Sequence, residues 1–305
     1  MSTLRFEGRV AIVTGAGRGI GRGYAALLGE RGASVVVNDL GGSIEGMGED
    51  AGPAAAVAAE IVAAGGAAIA DTSDVATVAG AQALVDAATS AFGRIDILIN
   101  NAGIVRWAGL PEADADNLAS HLAVHVAGSF NTTRAAWPRM VEQGYGRIVM
   151  TGSTGMFGLP TNLSYATAKA AVIGLTRSLT TAGAAQGIKI NVIAPAAFTR
   201  MAGGPAGDLE TQMAPELVAP MVAFLAHEDC PVSGEIYVAG AGRFARIFIA
   251  STEGYVHSSQ EPTIPIPTIE DVAEHWATIN DETGYFIPSD LMDWSAKFMT
   301  HLDRR

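Results

Sequence analysis

The sequence predicts a doubly wound α/β fold: a mostly parallel sheet with helices on both faces. Three observations carry that expectation. Short β-branched runs alternate with longer helix-like segments, several of those runs are apolar on both faces, and the first leads through a glycine-rich turn straight into a helix.

The runs 10–14, 34–38, 67–71, 95–100, 147–151, 188–193 and 235–238 read as strands, each bounded by glycine or polar residues. Runs without alternation suit strands that water reaches on neither face. Segment 21–32 carries Tyr24, Leu27 and Leu28 as one stripe and stops at Gly32. Segment 79–92 repeats the helical spacing with Ala83, Leu84, Ala87, Ala88 and Ala91. Glu112, Asp114 and Asp116 read as a solvated helix start.

The pattern runs to residue 242 without a repeat or an internal boundary, so 1–242 is expected to be one domain and 243–305 a C-terminal extension. Within the domain, 41–53 reads as a long loop, more an insertion than a lid. In the extension, 261–268 alternates Pro with Ile or Thr, which excludes a helix, and 269–278 reads as helical. The extension is expected to pack on the main domain or on a neighbouring subunit.

With 49% hydrophobic and 16% charged residues, the chain is not a disordered polymer. Its net charge of -12 argues against nucleic acid, whose phosphates require a basic face. The single cysteine, Cys230, cannot form an internal disulfide and fits a reducing compartment, in a structural rather than nucleophilic role. The start, MSTLRFEGRV, lacks a signal peptide's apolar stretch. No run reaches the roughly 18 apolar residues of a membrane span. A cytoplasmic location is expected, and no metal-ligand pattern stands out.

The first strand ends in Thr14-Gly15-Ala16-Gly17-Arg18-Gly19-Ile20-Gly21. Glycines let the backbone approach a pyrophosphate, and the helix that follows offers free N–H groups and a favourable dipole. The second strand ends at Asp39, whose carboxylate can accept from adenosine ribose hydroxyls and repel a 2′-phosphate, favouring NAD over NADP. Asp39 can equally cap the following turn. Arg18 and Arg22 count against NAD, since an arginine can pair with a 2′-phosphate.

Tyr165 and Lys169 are four apart and share one helix face. A free phenol, with pKa of about 10, is too weak a base at neutral pH, and a nearby ammonium lowers that value. Tyr165 can then take an alcohol proton, while Ser153 hydrogen-bonds the reacting oxygen.

These motifs resemble the short-chain dehydrogenase/reductase family. Thr14-Gly-x-x-x-Gly19-x-Gly21, Asp74-Val75, Asn100-Asn101-Ala102-Gly103, Ser153, Tyr165-x-x-x-Lys169 and Asn191-x-x-x-Pro195 with Thr199 occur in family order. The resemblance implies a Rossmann-like fold and an NAD-dependent hydride transfer between a secondary alcohol and a ketone. It implies that Lys169 holds the nicotinamide ribose, Asp74 and Val75 lie near the adenine, and Asn101, Ala102 and Gly103 line the cofactor channel. Pro195 and Thr199 resemble the segment holding the carboxamide, with Ala196 where the family usually has glycine. His125 stands at the family's proton-relay Asn, and there it is either a proton carrier or a satisfied core histidine.

Val37–Gly42, His125–Phe130, Arg134–Trp137, Tyr145–Ile148 and Ala239–Gly242 look like the dehydrogenase part of the peroxisomal multifunctional enzymes of type 2. That likeness implies a lipid-like substrate, first a 3-hydroxyacyl-CoA, alternatively a hydroxysteroid or other alcohol, and a homodimer or homotetramer. A non-catalytic dinucleotide sensor is the reading from another class. Arg106, Arg200, Arg243 and Arg246 are candidates for a phosphate-holding cluster, 201–215 for a substrate lid, and Trp107, Met156 and Phe157 for pocket walls or ordinary core.

Overall fold

The computed structural model describes residues 3–202, 207–257 and 266–302. Its strands are β1 (Val10–Thr14), β2 (Ser34–Asn38), β3 (Ala67–Asp71), β4 (Ile97–Asn100), β5 (Gly146–Thr151), β6 (Ile188–Pro195), β7 (Ile236–Gly240) and β8 (Arg243–Ile247). They form one sheet in the order β3-β2-β1-β4-β5-β6-β7-β8, parallel from β3 through β7. β1, β4 and β5 are buried at every position, which is why their sequences show no alternation.

The helices of the sheet region are α1 (Gly19–Glu30), α2 (Gly52–Ala63), α3 (Val78–Phe92), α4 (Ala115–His121), α5 (Gly128–Gln143), α6 (Leu163–Gly183), α7 (Leu209–Gln212) and α8 (Ala219–Ala226). On one face α1, α2 and α8 pour Tyr24, Leu28, Val57, Ile61, Val222 and Leu225 into a single core with Val13, Val35 and Ile97. Each such side chain contributes about 1.5–3 kcal/mol when removed from water. On the other face α3, α5 and α6 lie against the strands, α3 packed on α5.

Local chemistry sets the helix ends. Thr77 caps α3 through its hydroxyl, and Gly93 closes it with φ of 79°. Asp114 caps α4, so the acidic stretch is a helix start as expected. At the strands' N-terminal edge, buried Asp96 accepts from the Val10 amide at 2.9 Å, from Arg9 at 3.1 Å and from Arg94 at 2.7 and 2.8 Å, tying β1 to β4.

The sequence pattern stopped one strand short. β8 follows β7 through Ala241 and Gly242, with φ of 49° and 73°, the pairing of signs that a tight hairpin turn requires. The chain divides into two compact units after Arg246. In the second, the single expected helix 269–278 is two, α9 (Ile269–Glu274) and α10 (Trp276–Ile279), followed by α11 (Leu291–Phe298). A capping box of Thr268 and Asp271 starts α9. Ser251 and Phe286 exchange backbone hydrogen bonds of 2.9 Å. Residues 261–265 of the Pro-alternating stretch lie outside the described residues, as do 203–206 of the expected lid. Among the described residues no helix is long and apolar enough to cross a membrane.

Candidate active site

The sheet order reverses direction between β1 and β4, and the crevice at their C-terminal ends is where doubly wound sheets bind ligands. The glycine turn lies there. Gly15 has φ of 62°, and a Cβ on it would stand 2.8 Å from the Ala102 Cα. A Cβ on Gly21 would overlap the Gly15 carbonyl oxygen. The turn is therefore held tightly against the segment after β4. Thr14 Oγ1 accepts from the amides of Asn101 and Ala102 at 2.9 and 3.0 Å, and Asn101 Nδ2 donates to the carbonyls of Thr14 and Gly15. Asn101 Oδ1 is buried without a hydrogen-bond partner.

Asp39 sits across from the turn with both oxygens placed. Oδ2 accepts from Gly17 N at 2.8 Å and Oδ1 from Gly41 N at 2.7 Å. It thus caps its turn and faces the glycine loop at once. Arg22 pairs with Glu60 at 2.9 Å, while Arg18 reaches the Gly42 carbonyl from beside the glycine turn. Asp74, just past β3, accepts from Ala76 N at 2.9 Å, and Val75 is buried against Gly128. Pro195 ends β6; Ala196 has no positive φ, so the missing glycine costs the turn nothing. Thr199 approaches Gly19, and Ile20, Pro195 and Thr199 all border one cavity. A cradle with no room for Cβ atoms, a carboxylate beside it and an unpaired buried amide oxygen fit a dinucleotide.

Tyr165 enters that cavity from the first turn of α6, which is capped by Asn162 Oδ1 on the Tyr165 amide. Ser153 lies just past β5, where its hydroxyl accepts from Gly155 N at 3.0 Å and lies within hydrogen-bonding range of the phenol. Lys169 Nζ is buried 5.7 Å from the Tyr165 ring centre and donates to the Thr151 carbonyl at 2.8 Å. The structure brings Ser153, Tyr165 and Lys169 together.

Their electrostatics correct one expectation. Burial pushes the Tyr165 phenol up, with Ser153 only partly opposing it. Burial also drops Lys169 from 10.5 to about 7. In the protein's own field, desolvation outweighs the attraction between ammonium and phenolate. Both groups are driven toward neutrality.

His125 lies in a π-helical turn, Leu122–Ala127, between α4 and α5. Such turns recur at functional sites. Its ring stands edge-on to Tyr165 at 5.5 Å. Its Nε2 lies 2.9 Å from the Ile104 carbonyl and 3.2 Å from the Ile104 amide, and its Nδ1 is buried without a partner. Burial holds its pKa well below the ordinary histidine value, with Lys169 adding to the effect and the Ile104 carbonyl opposing it. A second histidine that the sequence reading passed over, His121, stacks on it at 5.9 Å. The signal was there as His121-x-x-x-His125, one helical turn apart.

The cavity, about 200 Å³, is lined by Ile20, Val105, Trp107, Leu159, Tyr165 and Met201 among others. Trp107 is a wall, as one reading had it. Met156 is not among the lining residues, and Phe157 stands 73% exposed. The proposed arginine cluster does not assemble. Arg106 donates to the Glu45 carbonyl and Ser120, Arg246 pairs with Glu235 at 2.7 Å, Arg200 lies near Arg18 and Asp39, and Arg243 is exposed on β8. Cys230 is buried in the core, which is the structural role expected of it.

Comparison with known proteins places this geometry. The family model described as short chain dehydrogenase matches residues 9–204. Peroxisomal multifunctional enzyme type 2 of Drosophila melanogaster is 43% identical over 281 residues, covering 91% of this chain and 46% of that protein. The Mus musculus enzyme of the same name is 40% identical, covering 96% of this chain and 39% of its own length. The chain thus spans less than half the length of these two relatives. A short-chain type dehydrogenase/reductase of Mycobacterium tuberculosis, Rv0148, is 41% identical, with 91% and 96% covered. The full-length Drosophila structure superposes with a TM-score of 0.81 at 34% identity, covering 99% of this chain and 50% of that one. A short chain dehydrogenase from Mycobacterium avium gives 0.74 at 34% identity, covering 91% and 97%.

Proposed function

The chain belongs to the short-chain dehydrogenase family, and from that premise we propose that it is an NAD-dependent 3-hydroxyacyl-CoA dehydrogenase. The observation that carries the reading is the convergence of Ser153 and Lys169 on Tyr165, which lines a mostly apolar cavity together with Ile20 from the start of α1. The names of the relatives support the acyl-CoA class.

The glycine turn Gly15–Gly21 with Arg18 would hold the pyrophosphate, Asp39 the adenosine ribose, Asp74 and Val75 the adenine side, and Asn101, Ala102, Gly103, Pro195 and Thr199 the nicotinamide half. The carboxylate of Asp39, set 2.8 Å from Gly17 N, supports NAD rather than NADP by repelling a 2′-phosphate. Bound NAD supplies the hydride acceptor. Tyr165 takes the proton of the substrate hydroxyl through its phenolic oxygen. Ser153 donates a hydrogen bond to that same substrate oxygen and stabilises its developing charge. Lys169 spends one N–H on Thr151 and has two left for ribose hydroxyls. His125, in the relay position, fastens the Ile104 backbone through Nε2 and keeps Nδ1 available for a proton on its way to or from Lys169.

The groove lined by Phe130, Trp137, Val141 and Leu179 on α5 and α6 supports a homo-oligomer, which sedimentation equilibrium reads directly. The one buried free thiol, Cys230, suits a reducing cytoplasm.

The deciding experiment follows NADH formation over a panel of 3-hydroxyacyl-CoAs, hydroxysteroids and small secondary alcohols. A preference for the acyl-CoAs is expected. Preference for a steroid would install the alternative dehydrogenase reading, and preference for a small polar alcohol would refute both. Tyr165→Phe should abolish turnover while leaving NAD affinity intact; a chain that kept its biological effect after that change would be a sensor.

A further inference from the structure

Segment Ile104–Trp107 follows β4 and supplies Val105 and Trp107 to the cavity wall. Its backbone is held by one face of α4. Arg106 N donates to His121 Nε2 at 3.2 Å. Asn117 Nδ2 donates to the Arg106 carbonyl at 3.0 Å. Arg106 Nη1 donates to Ser120 Oγ at 2.8 Å. Positions 117, 120 and 121 are three and four apart, so one helical stripe grips a single residue at amide, carbonyl and guanidinium. The grip extends outward. Val105 N donates to the Ile44 carbonyl at 2.7 Å and Arg106 Nε to the Glu45 carbonyl at 2.8 Å, so the 41–53 loop is strapped to the same wall.

His121 can do this only as a neutral ring. Its Nδ1 lies 2.8 Å from the Asn117 carbonyl, which can only accept, so Nδ1 carries the hydrogen. Nε2 is then a lone pair aimed at the Arg106 amide. The ring has no solvent exposure, stacks on His125 and faces the Tyr165 edge at 6.3 Å.

We propose that His121 is a positioning residue for the substrate wall: its neutral imidazole fixes the Arg106 backbone, and with it Val105 and Trp107, against the catalytic phenol. The proposal rests on the dehydrogenase reading above. Protonating Nε2 removes the acceptor and sets a cation beside the Arg106 amide, so the wall should loosen in acid. The groups facing His121 are Lys169 and Tyr165 from α6, His125 from the π turn and Arg106 from the wall; Asp116 on α4 is exposed. Burial first, then Arg106 and Lys169, hold its pKa below the ordinary value, with the Asn117 carbonyl opposing. Neutrality thus prevails above the usual histidine range and is lost as pH falls below it.

The test compares full-length wild type, His121→Phe and His121→Gln by steady-state kinetics from pH 5 to 9. His121→Phe keeps a ring without an acceptor. It should raise KM for the acyl substrate about tenfold, equivalent to roughly 1.4 kcal/mol, with kcat and NAD affinity within about twofold. His121→Gln offers a non-titrating acceptor. It should restore KM and lack the rise in KM that the proposal expects of wild type in acid. An unchanged KM in folded His121→Phe, or the wild-type acid limb persisting in His121→Gln, overturns the proposal. If the variants do not fold, imidazole nitrogen NMR on wild type decides: a neutral Nδ1–H tautomer for His121 at pH 7 is required, and a protonated ring or the Nε2–H tautomer ends it. A wild type inactive on every acyl-CoA would sink the substrate reading alone, since the NMR result does not depend on substrate.

Discussion

Replacing Lys169 with Met should make the protein more stable while destroying its activity. Lys169 is buried, and its hydrogen bond among the described residues goes to the Thr151 carbonyl rather than to a carboxylate. The fold drops its pKa from 10.5 to about 7. Below pH 7 that corresponds to a penalty on the order of 5 kcal/mol, borne by the folded state when the amine is charged. Met has similar length and no charge. Losing the charged hydrogen bond costs about 1.5–3 kcal/mol, which leaves Lys169→Met ahead by roughly 2–3 kcal/mol at pH 6. Between about 7 and 10.5 the unfolded chain binds more protons at this site than the folded one, so wild-type stability climbs with pH and the advantage shrinks. Urea unfolding at fixed protein concentration, without added dinucleotide, at pH steps from 6 to 10 reads both numbers. A difference that does not change with pH, or a Lys169→Met protein less stable at pH 6, refutes the desolvation account.

Asp39→Asn keeps the acceptor for Gly17 N but removes the charge, with Arg18 nearby; the ratio of kcat/KM for NADP over NAD should rise about tenfold or more. Gly21→Ala drives a Cβ into the Gly15 carbonyl, so titration calorimetry should show dinucleotide binding lost. Asp96→Ala leaves the Val10 amide without its acceptor and frees Arg94 into solvent, while Arg9 keeps Glu228 at 2.8 Å; it should cost about 1–3 kcal/mol and lower Tm by roughly 5 °C with little change in KM.

The sheet was legible because parallel strands buried on both faces, as β1, β4 and β5 are, leave unbroken apolar runs, and the other strands through β7 are short runs bounded by glycine or polar residues. β8 did not: Arg243-Phe-Ala-Arg-Ile247 mixes charge with apolar residues at an edge, and its turn depends on a positive φ at Ala241, which no alanine advertises. The helix break at His275 was equally silent, since nothing in 269–278 is a breaker. Ser153, Tyr165 and Lys169 could be found from spacing because one helix and one strand end hold them. The spacing of His121 and His125 hinted at a pair, but the role of His121 could not be read from it, because its partner Arg106 is met only through folding, and the π turn that orients His125 has no residue signature.

The sequence suggested a charged lysine activating a phenol, and the folded protein shows why that pair alone falls short. A cation lowers a neighbour's pKa only while it remains a cation. With Lys169 near 7 and Tyr165 raised, both prefer neutrality at the pH where the phenol must act as a base. His121 and His125 are held neutral by the same burial. Four titratable groups therefore meet in a place that favours no charge at all. Beyond the Thr151 carbonyl, further polar partners for Lys169 have to come from outside the chain, and the cleft between the glycine turn and Asp39 is cut to bring them. The base is thus completed by occupancy of that cleft. For the proposed dehydrogenase, an alcohol arriving first would meet a protonated phenol, so dinucleotide-first binding is the order expected in steady-state kinetics, and random or alcohol-first binding refutes this argument.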